Sequence, residues 1–237
     1  MNLTDKTVLI TGANGGLGQS LVHYCLSHGA KSIYCCARDA ASLATLAERH
    51  DAVTACSLDI TDPAQAAALA DTIGSIDLLI NNAGVNSGKR VFETGTYDFD
   101  VNVQGTLNVC RAFAPKIAEN GALVTVTSIL ALINLPVMGL YCASKSALHS
   151  LTQAIRAELV PRKIDVYELL PGPIDTPMTA GEEMQKSSPD AIAEKLFEEM
   201  TQKRYEIYPD AFSQGIKAAL ENDPEGIMAD FGRSIQG

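Results

Sequence analysis

Lys6-Thr7-Val8-Leu9-Ile10-Thr11-Gly12-Ala13-Asn14-Gly15-Gly16-Leu17-Gly18 is the stretch on which the fold turns. Up to Thr11 it is largely apolar and β-branched and reads as a short buried strand. Glycines then fall at 12, 15, 16 and 18. They permit a tight turn and close approach of another group to the backbone. Gln19-Ser20-Leu21-Val22-His23-Tyr24-Cys25-Leu26 follows with a helical pattern. Strand, glycine turn and helix together can seat a pyrophosphate, because the helix start offers free N–H groups and a positive dipole end. The spacing is Gly12-x-x-x-Gly16-x-Gly18 rather than Gly-x-Gly-x-x-Gly. Taken alone, it also fits a glycine turn with no ligand.

The alternation continues outward from this stretch. Strands are expected near 6–11, 31–36, 53–58, 76–81, 122–127, 164–170 and 205–208. Helices are expected near 16–28, 40–49, 63–73, 96–118 and 140–160, with further helix after 185. Strands apolar on both faces, separated by amphipathic helices, imply a parallel sheet wrapped on both sides. The fold class is therefore α/β, a doubly wound parallel sheet of about seven strands flanked by helices. No linker, repeat or low-complexity tract divides residues 1–237, so one domain is expected.

Tyr141 and Lys145 stand four residues apart in Leu140-Tyr141-Cys142-Ala143-Ser144-Lys145. On a helix that spacing puts both side chains on one face. An ammonium beside a phenol favours the phenolate and lowers the phenol pKa from about 10. The pair can then give and take a proton, as carbonyl/alcohol interconversion requires. The spacing alone also suits an ordinary solvated helix face.

Six motifs follow one another in register between residues 6 and 178: Thr11-Gly12-x-x-x-Gly16-x-Gly18, Asn81-Asn82-Ala83-Gly84, Val101-Asn102-Val103, Val126-Thr127-Ser128, Tyr141-x-x-x-Lys145 and Pro171-Gly172-Pro173-Ile174-Asp175-Thr176. In these motifs the chain resembles the short-chain dehydrogenase/reductase family. The resemblance implies a Rossmann-type fold and a catalytic set of Asn102, Ser128, Tyr141 and Lys145. Tyr141 would protonate the carbonyl oxygen as hydride arrives from nicotinamide. Lys145 would lower the Tyr141 pKa and hold the nicotinamide ribose. Ser128 would hydrogen-bond the substrate oxygen where charge develops. Asn102 would hold a water linking Lys145 to solvent, or be a buried amide satisfied locally.

The resemblance also implies the cofactor contacts. Gly12, Asn14, Gly16, Leu17 and Gly18 would surround the pyrophosphate. Asp59 and Ile60 follow the third strand and would meet the adenine; Asp59 also reads as a helix cap near Asp62-Pro63. Asn82, Ala83 and Gly84 would pass the adenosine ribose, and Pro171, Gly172, Ile174 and Thr176 the nicotinamide. Relatives preferring NAD carry an acidic residue where this chain has Ala37, followed by Arg38 and Asp39. A guanidinium suits a 2′-phosphate, so NADP(H) is expected over NAD(H). No metal is expected.

A net charge of −10 argues against nucleic acid or an anionic membrane as partner. No signal peptide is recognisable and the longest apolar run, 131–143, is broken by Asn134 and Pro136, so a cytoplasmic protein is expected. The six cysteines, at 25, 35, 36, 56, 110 and 142, read as small buried hydrophobes rather than disulfides or metal ligands. The run from Ile129 to Met138 is apolar and lacks basic residues, and is expected to line the substrate pocket. Residues 177–200 are expected to form a lid over it. The sequence thus points to an NADPH-dependent carbonyl reductase or alcohol dehydrogenase acting on a hydrophobic ketone, aldehyde or secondary alcohol, as a homo-oligomer (dimer or tetramer). The alternatives are a non-catalytic NADP(H)-binding sensor or scaffold, and an NAD-linked alcohol dehydrogenase.

Overall fold

Seven parallel strands form the middle layer of the molecule in a computed structural model that describes residues 1–181 and 183–235. They are β1 (Thr7–Thr11), β2 (Ser32–Ala37), β3 (Val53–Ser57), β4 (Ile76–Asn81), β5 (Ile117–Val126), β6 (Asp165–Leu169) and β7 (Glu206–Ile207). Their order across the sheet is β3-β2-β1-β4-β5-β6-β7. The order reverses between β1 and β4, and a crevice opens there at the carboxyl ends of the strands.

Alternation along the strands divides the core in two. Val8 and Ile10 face one apolar layer together with Ile33, Cys35, Leu78 and Ile80. Helices α1 (Gly16–Ser27), α2 (Ala44–Arg49) and α6 (Pro189–Thr201) cover that layer. Leu9 and Cys36 point the other way, toward α3 (Pro63–Thr72), α4 (Thr106–Phe113) and α5 (Gly139–Leu159). The adjacent cysteines 35 and 36 thus sit in opposite layers, as a pleated strand dictates. All six cysteines are buried free thiols. Two further helices, α7 (Ala211–Asn222) and α8 (Pro224–Gly232), close the chain.

Three expectations need correction. The helix expected at 96–118 gives way after a short turn at Ala114–Lys116, because β5 begins at Ile117, opposite Ile76. The register then jumps from Ile76/Ile117 to Leu78/Ala122. Asn120, with φ 63°, and Gly121, whose added Cβ would stand 2.7 Å from the Asp77 carbonyl, form that irregularity. Secondly, the segment 177–200 does not behave as one lid. Its second half is α6, whose Ile192, Ala193, Leu196, Phe197 and Met200 are buried in the layer shared with α1. Lifting α6 would expose that apolar surface, and of the segment only Pro177, Met178 and Thr179 line the cavity among the described residues. Thirdly, the run 129–138 does not line the main cavity. Ile129 and Ile133 pack with Ile216 of α7, joined by Leu220, Ile227 and Phe231.

Candidate active site

Thr11 joins the two loops at the switch point. Its Oγ1 accepts from the backbone N–H groups of Asn82 (3.0 Å) and Ala83 (3.1 Å). Asn82 returns its Nδ2 to the carbonyls of Thr11 and Gly12, both at 3.0 Å. Gly12, with φ 63°, has room only for hydrogen, since a Cβ would meet the Ala83 Cα at 2.9 Å. A Cβ on Gly18 would lie 2.1 Å from the Gly12 carbonyl oxygen. Helix α1 therefore starts hard against the turn. Gly15 caps it without a side-chain bond, leaving the first N–H groups facing the crevice.

The crevice holds a cavity of about 550 Å³, within the size range of cofactor sites. Gly12, Asn14, Gly16, Leu17 and Gly18 line it from the turn, and Arg38, Asp59 and Ile60 from the ends of β2 and β3. Asn82, Ala83 and Gly84 line it after β4, Ser128 after β5, and Pro171, Gly172, Ile174 and Thr176 after β6. Tyr141 and Lys145 enter from α5. Strands β1 to β6 thus deliver their candidates to one place because a parallel sheet puts all its carboxyl ends on one edge. The capless helix start and the glycine cradle, which a Cβ would fill, suit a dinucleotide pyrophosphate.

Asn102 alone among the candidates does not line the cavity. It lies in a π-helical stretch, Phe99–Gly105, just before α4. Its Nδ2 donates to the Val85 carbonyl and to Ser144 Oγ, each at 2.9 Å, and its Oδ1 accepts from Val85 N–H at 2.8 Å. The buried amide therefore clamps the chain after Gly84 to α5.

Lys145 is buried and donates to the Val126 carbonyl at 3.0 Å. Its Nζ lies 5.8 Å from the centre of the Tyr141 ring. Burial pulls its pKa down to about 8, against an opposing pull from the Glu168 carboxylate. Gly84 leaves room for the Asn102 amide, since a Cβ there would be 3.1 Å from its Oδ1. Ser128 Oγ accepts from Leu130 N–H at 3.1 Å, which orients the hydroxyl.

At the adenosine end Arg38 is exposed and takes part in none of the ion pairs among the described residues. Asp39 beside it accepts from Ala41 N–H and caps the turn that follows β2. Asp59 accepts from the N–H and hydroxyl of Thr61, at 2.9 and 2.7 Å, and these bonds hold its pKa down. Asp62, not Asp59, caps α3. None of the six motifs includes Glu168, a buried carboxylate in β6 that joins Thr127 and His149. An acid set between Tyr167 and Leu169-Leu170 was the available signal.

A phosphate-ready helix start facing a tyrosine–lysine pair across one crevice defines a dinucleotide-dependent redox protein. A model of the family described as short chain dehydrogenase matches residues 6–187, and the chain belongs to that family. A short chain dehydrogenase from Burkholderia cenocepacia, solved in complex with NADP, superposes with a TM-score of 0.92 at 34% identity, covering 98% of this chain and 99% of its own. A short chain dehydrogenase/reductase from Burkholderia phymatum, in complex with NAD, gives 0.84 at 26% identity, covering 97% and 96%. An uncharacterized oxidoreductase of Staphylococcus saprophyticus is 31% identical across 97% of this chain and 96% of its own length. The protein is an NAD(P)-dependent oxidoreductase. Among the described residues no helix is long and apolar enough to cross a membrane, and no group of acidic, His or Cys side chains could hold a metal.

Proposed function

We propose that the protein is an NADPH-dependent carbonyl reductase that also runs in reverse as an alcohol dehydrogenase, with Tyr141 as the proton donor. The observation that carries this reading is the Lys145 ammonium 5.8 Å from the Tyr141 ring, inside the cavity that Ser128 also lines. Bound nicotinamide would supply or accept the hydride. Tyr141 Oη then gives its proton to the carbonyl oxygen, and Ser128 donates a hydrogen bond to the same oxygen as charge builds there. Lys145 keeps the phenol acidic and holds the ribose, while Asn102 keeps α5 and the Gly84 loop in place and leaves one Oδ1 lone pair for a water.

Preference for NADP(H) rests on Arg38, which is open to a 2′-phosphate, and on Asp39, whose carboxylate is turned into a cap. Val85, Tyr97, Val101 and Met178, and not the run 129–138, supply apolar surface to the cavity wall. They favour a hydrophobic ketone, aldehyde or secondary alcohol. Pro177, Met178 and Thr179 edge the cavity, and the chain beyond them returns where Ser187 pairs with Ile174. The protein works as a cytoplasmic homo-oligomer. An NADPH-oxidation screen over hydrophobic ketones and aldehydes, with NADH in parallel, tests the reading. Turnover with NADPH supports it; consistent preference for NADH, or no turnover on any carbonyl, counts against it.

A further inference from the structure

Glu168 is fully buried in the middle of β6, opposite Thr125 of β5. Its Oε1 accepts from Thr127 Oγ1 at 2.7 Å, one residue before Ser128. Its Oε2 lies 2.8 Å from His149 Nδ1. His149 Nε2 is 3.0 Å from the side-chain amide nitrogen of Gln153. An amide nitrogen can only donate, so Nε2 accepts and the ring proton sits on Nδ1, donating to Glu168. Burial raises the Glu168 pKa, and the bonds donated by Thr127 and His149 favour the carboxylate and offset part of that rise.

His149 and Lys145 are one turn apart on α5 and face the same way. Lys145 in turn is bonded to Val126, next in the chain to Thr127. We propose that Glu168 is a positioning residue for the proton-transfer pair: its buried carboxylate, held by Thr127 and His149, keeps Lys145 charged so that Lys145 can acidify Tyr141. The proposal rests on the catalytic reading above and deepens it.

The charge order follows from the geometry. Glu168 is bonded to Thr127, next in the chain to the Val126 carbonyl that holds Lys145, and to His149, one turn along α5 from Lys145, so its charge supports the ammonium. Burial works against both members, lowering Lys145 and raising Glu168, and each charge offsets part of that effect on the other. Other titratable groups face Glu168 as well. Glu206 of β7 lies opposite it in the sheet and opposes its charge. Tyr208 just beyond donates to Glu206 at 3.2 Å. Arg156, farther along α5, is bonded to the Val166 carbonyl at 2.8 Å.

The test needs no substrate. With no tryptophan in the chain, tyrosinate absorbance can be titrated against pH in the cofactor-free protein. Subtracting the same titration of Tyr141→Phe isolates Tyr141. Glu168→Gln removes the charge and keeps one of the two acceptor oxygens, and Glu168→Met replaces the carboxylate by packing. Either should move the Tyr141 midpoint to higher pH by about 0.5 unit or more, a fraction of the 1–3 units an adjacent opposite charge produces. Glu168→Asp retains the charge one methylene farther back. It should shift the midpoint less but in the same direction, and it serves if the neutral variants do not fold. Thr127→Val, which leaves the carboxylate, should move it less than Glu168→Gln. An unmoved or lowered midpoint in the Glu168 variants overturns the proposal, as does a Thr127→Val shift equal to that of Glu168→Gln. Full turnover of Tyr141→Phe would instead overturn the catalytic reading, while the titration would still report the coupling between Glu168 and Lys145.

Discussion

Lys145 donates its ammonium to the Val126 carbonyl at 3.0 Å, tying the face of α5 that carries Tyr141 to the end of β5. The bond places a largely buried cation at the cavity wall, beside the residue pair Thr127-Ser128. A buried cation of this kind costs stability, and its retention at such a site is expected where function needs it.

That cost has a pH signature. Burial holds Lys145 at about 8, against about 10.4 in an unfolded chain. Below about 8 the lysine is charged in both states and burial penalises the fold in full. Between the two values the folded lysine is neutral while the unfolded one still binds a proton, so stability rises with pH. Lys145→Met should therefore be more stable than wild type near neutrality. Its advantage should shrink by up to about 3 kcal/mol across that window, since one pKa unit is 1.36 kcal/mol. Urea unfolding of both proteins at a series of pH values checks this. A constant difference would mean that the lysine keeps its proton inside the fold.

Tyr141→Phe keeps the ring and removes only the hydroxyl. Folding and cofactor binding should persist, and turnover should fall by at least ~100-fold, the low end for a lost general acid. Steady-state assay of the variant with the best ketone from the screen decides; near-normal turnover would remove Tyr141 from its role.

Arg38→Ala should weaken NADPH binding by roughly ten- to a hundredfold, as expected for the loss of charge-assisted hydrogen bonds of about 1.5–3 kcal/mol. NADH, lacking the 2′-phosphate, should bind the variant almost as it binds wild type. Titration of nicotinamide fluorescence gives both dissociation constants, and equal losses for the two cofactors would leave the NADP preference without a basis.

Gly18→Ala should destabilise the protein by about 1–3 kcal/mol, the usual cost of overpacking. Its Cβ would lie 2.1 Å from the Gly12 carbonyl oxygen, which is backbone and cannot swing away. Gly74→Ala is the matched control, because nothing lies within 4 Å of its added Cβ. Equal denaturation midpoints for the two variants would show that α1 can slide away from the turn.

The sequence by itself determined the order of elements, the parallel sheet and the face of α5 that carries Tyr141 and Lys145. All of these depend on local spacing: period two in the strands, four residues on a helix, glycines where a turn must be tight. It also named residues that the sheet delivers to one crevice, because motifs at strand ends share an edge whenever the strands are parallel. Only the tertiary structure decided what lies far apart in the chain and close in space. Ile129 and Ile133 read as pocket lining, yet they pack beneath α7 and α8, since an apolar run does not say which apolar partner will cover it. Residues 189–200 read as lid, yet their buried stripe belongs to the core beside α1. Asn102 and Glu168 carry no local signal of their partners. Val85, Ser144, Thr127 and His149 reach them from other elements. Folding brings these groups out of water, and a buried polar group must then find its hydrogen bonds wherever the packing places a donor or acceptor.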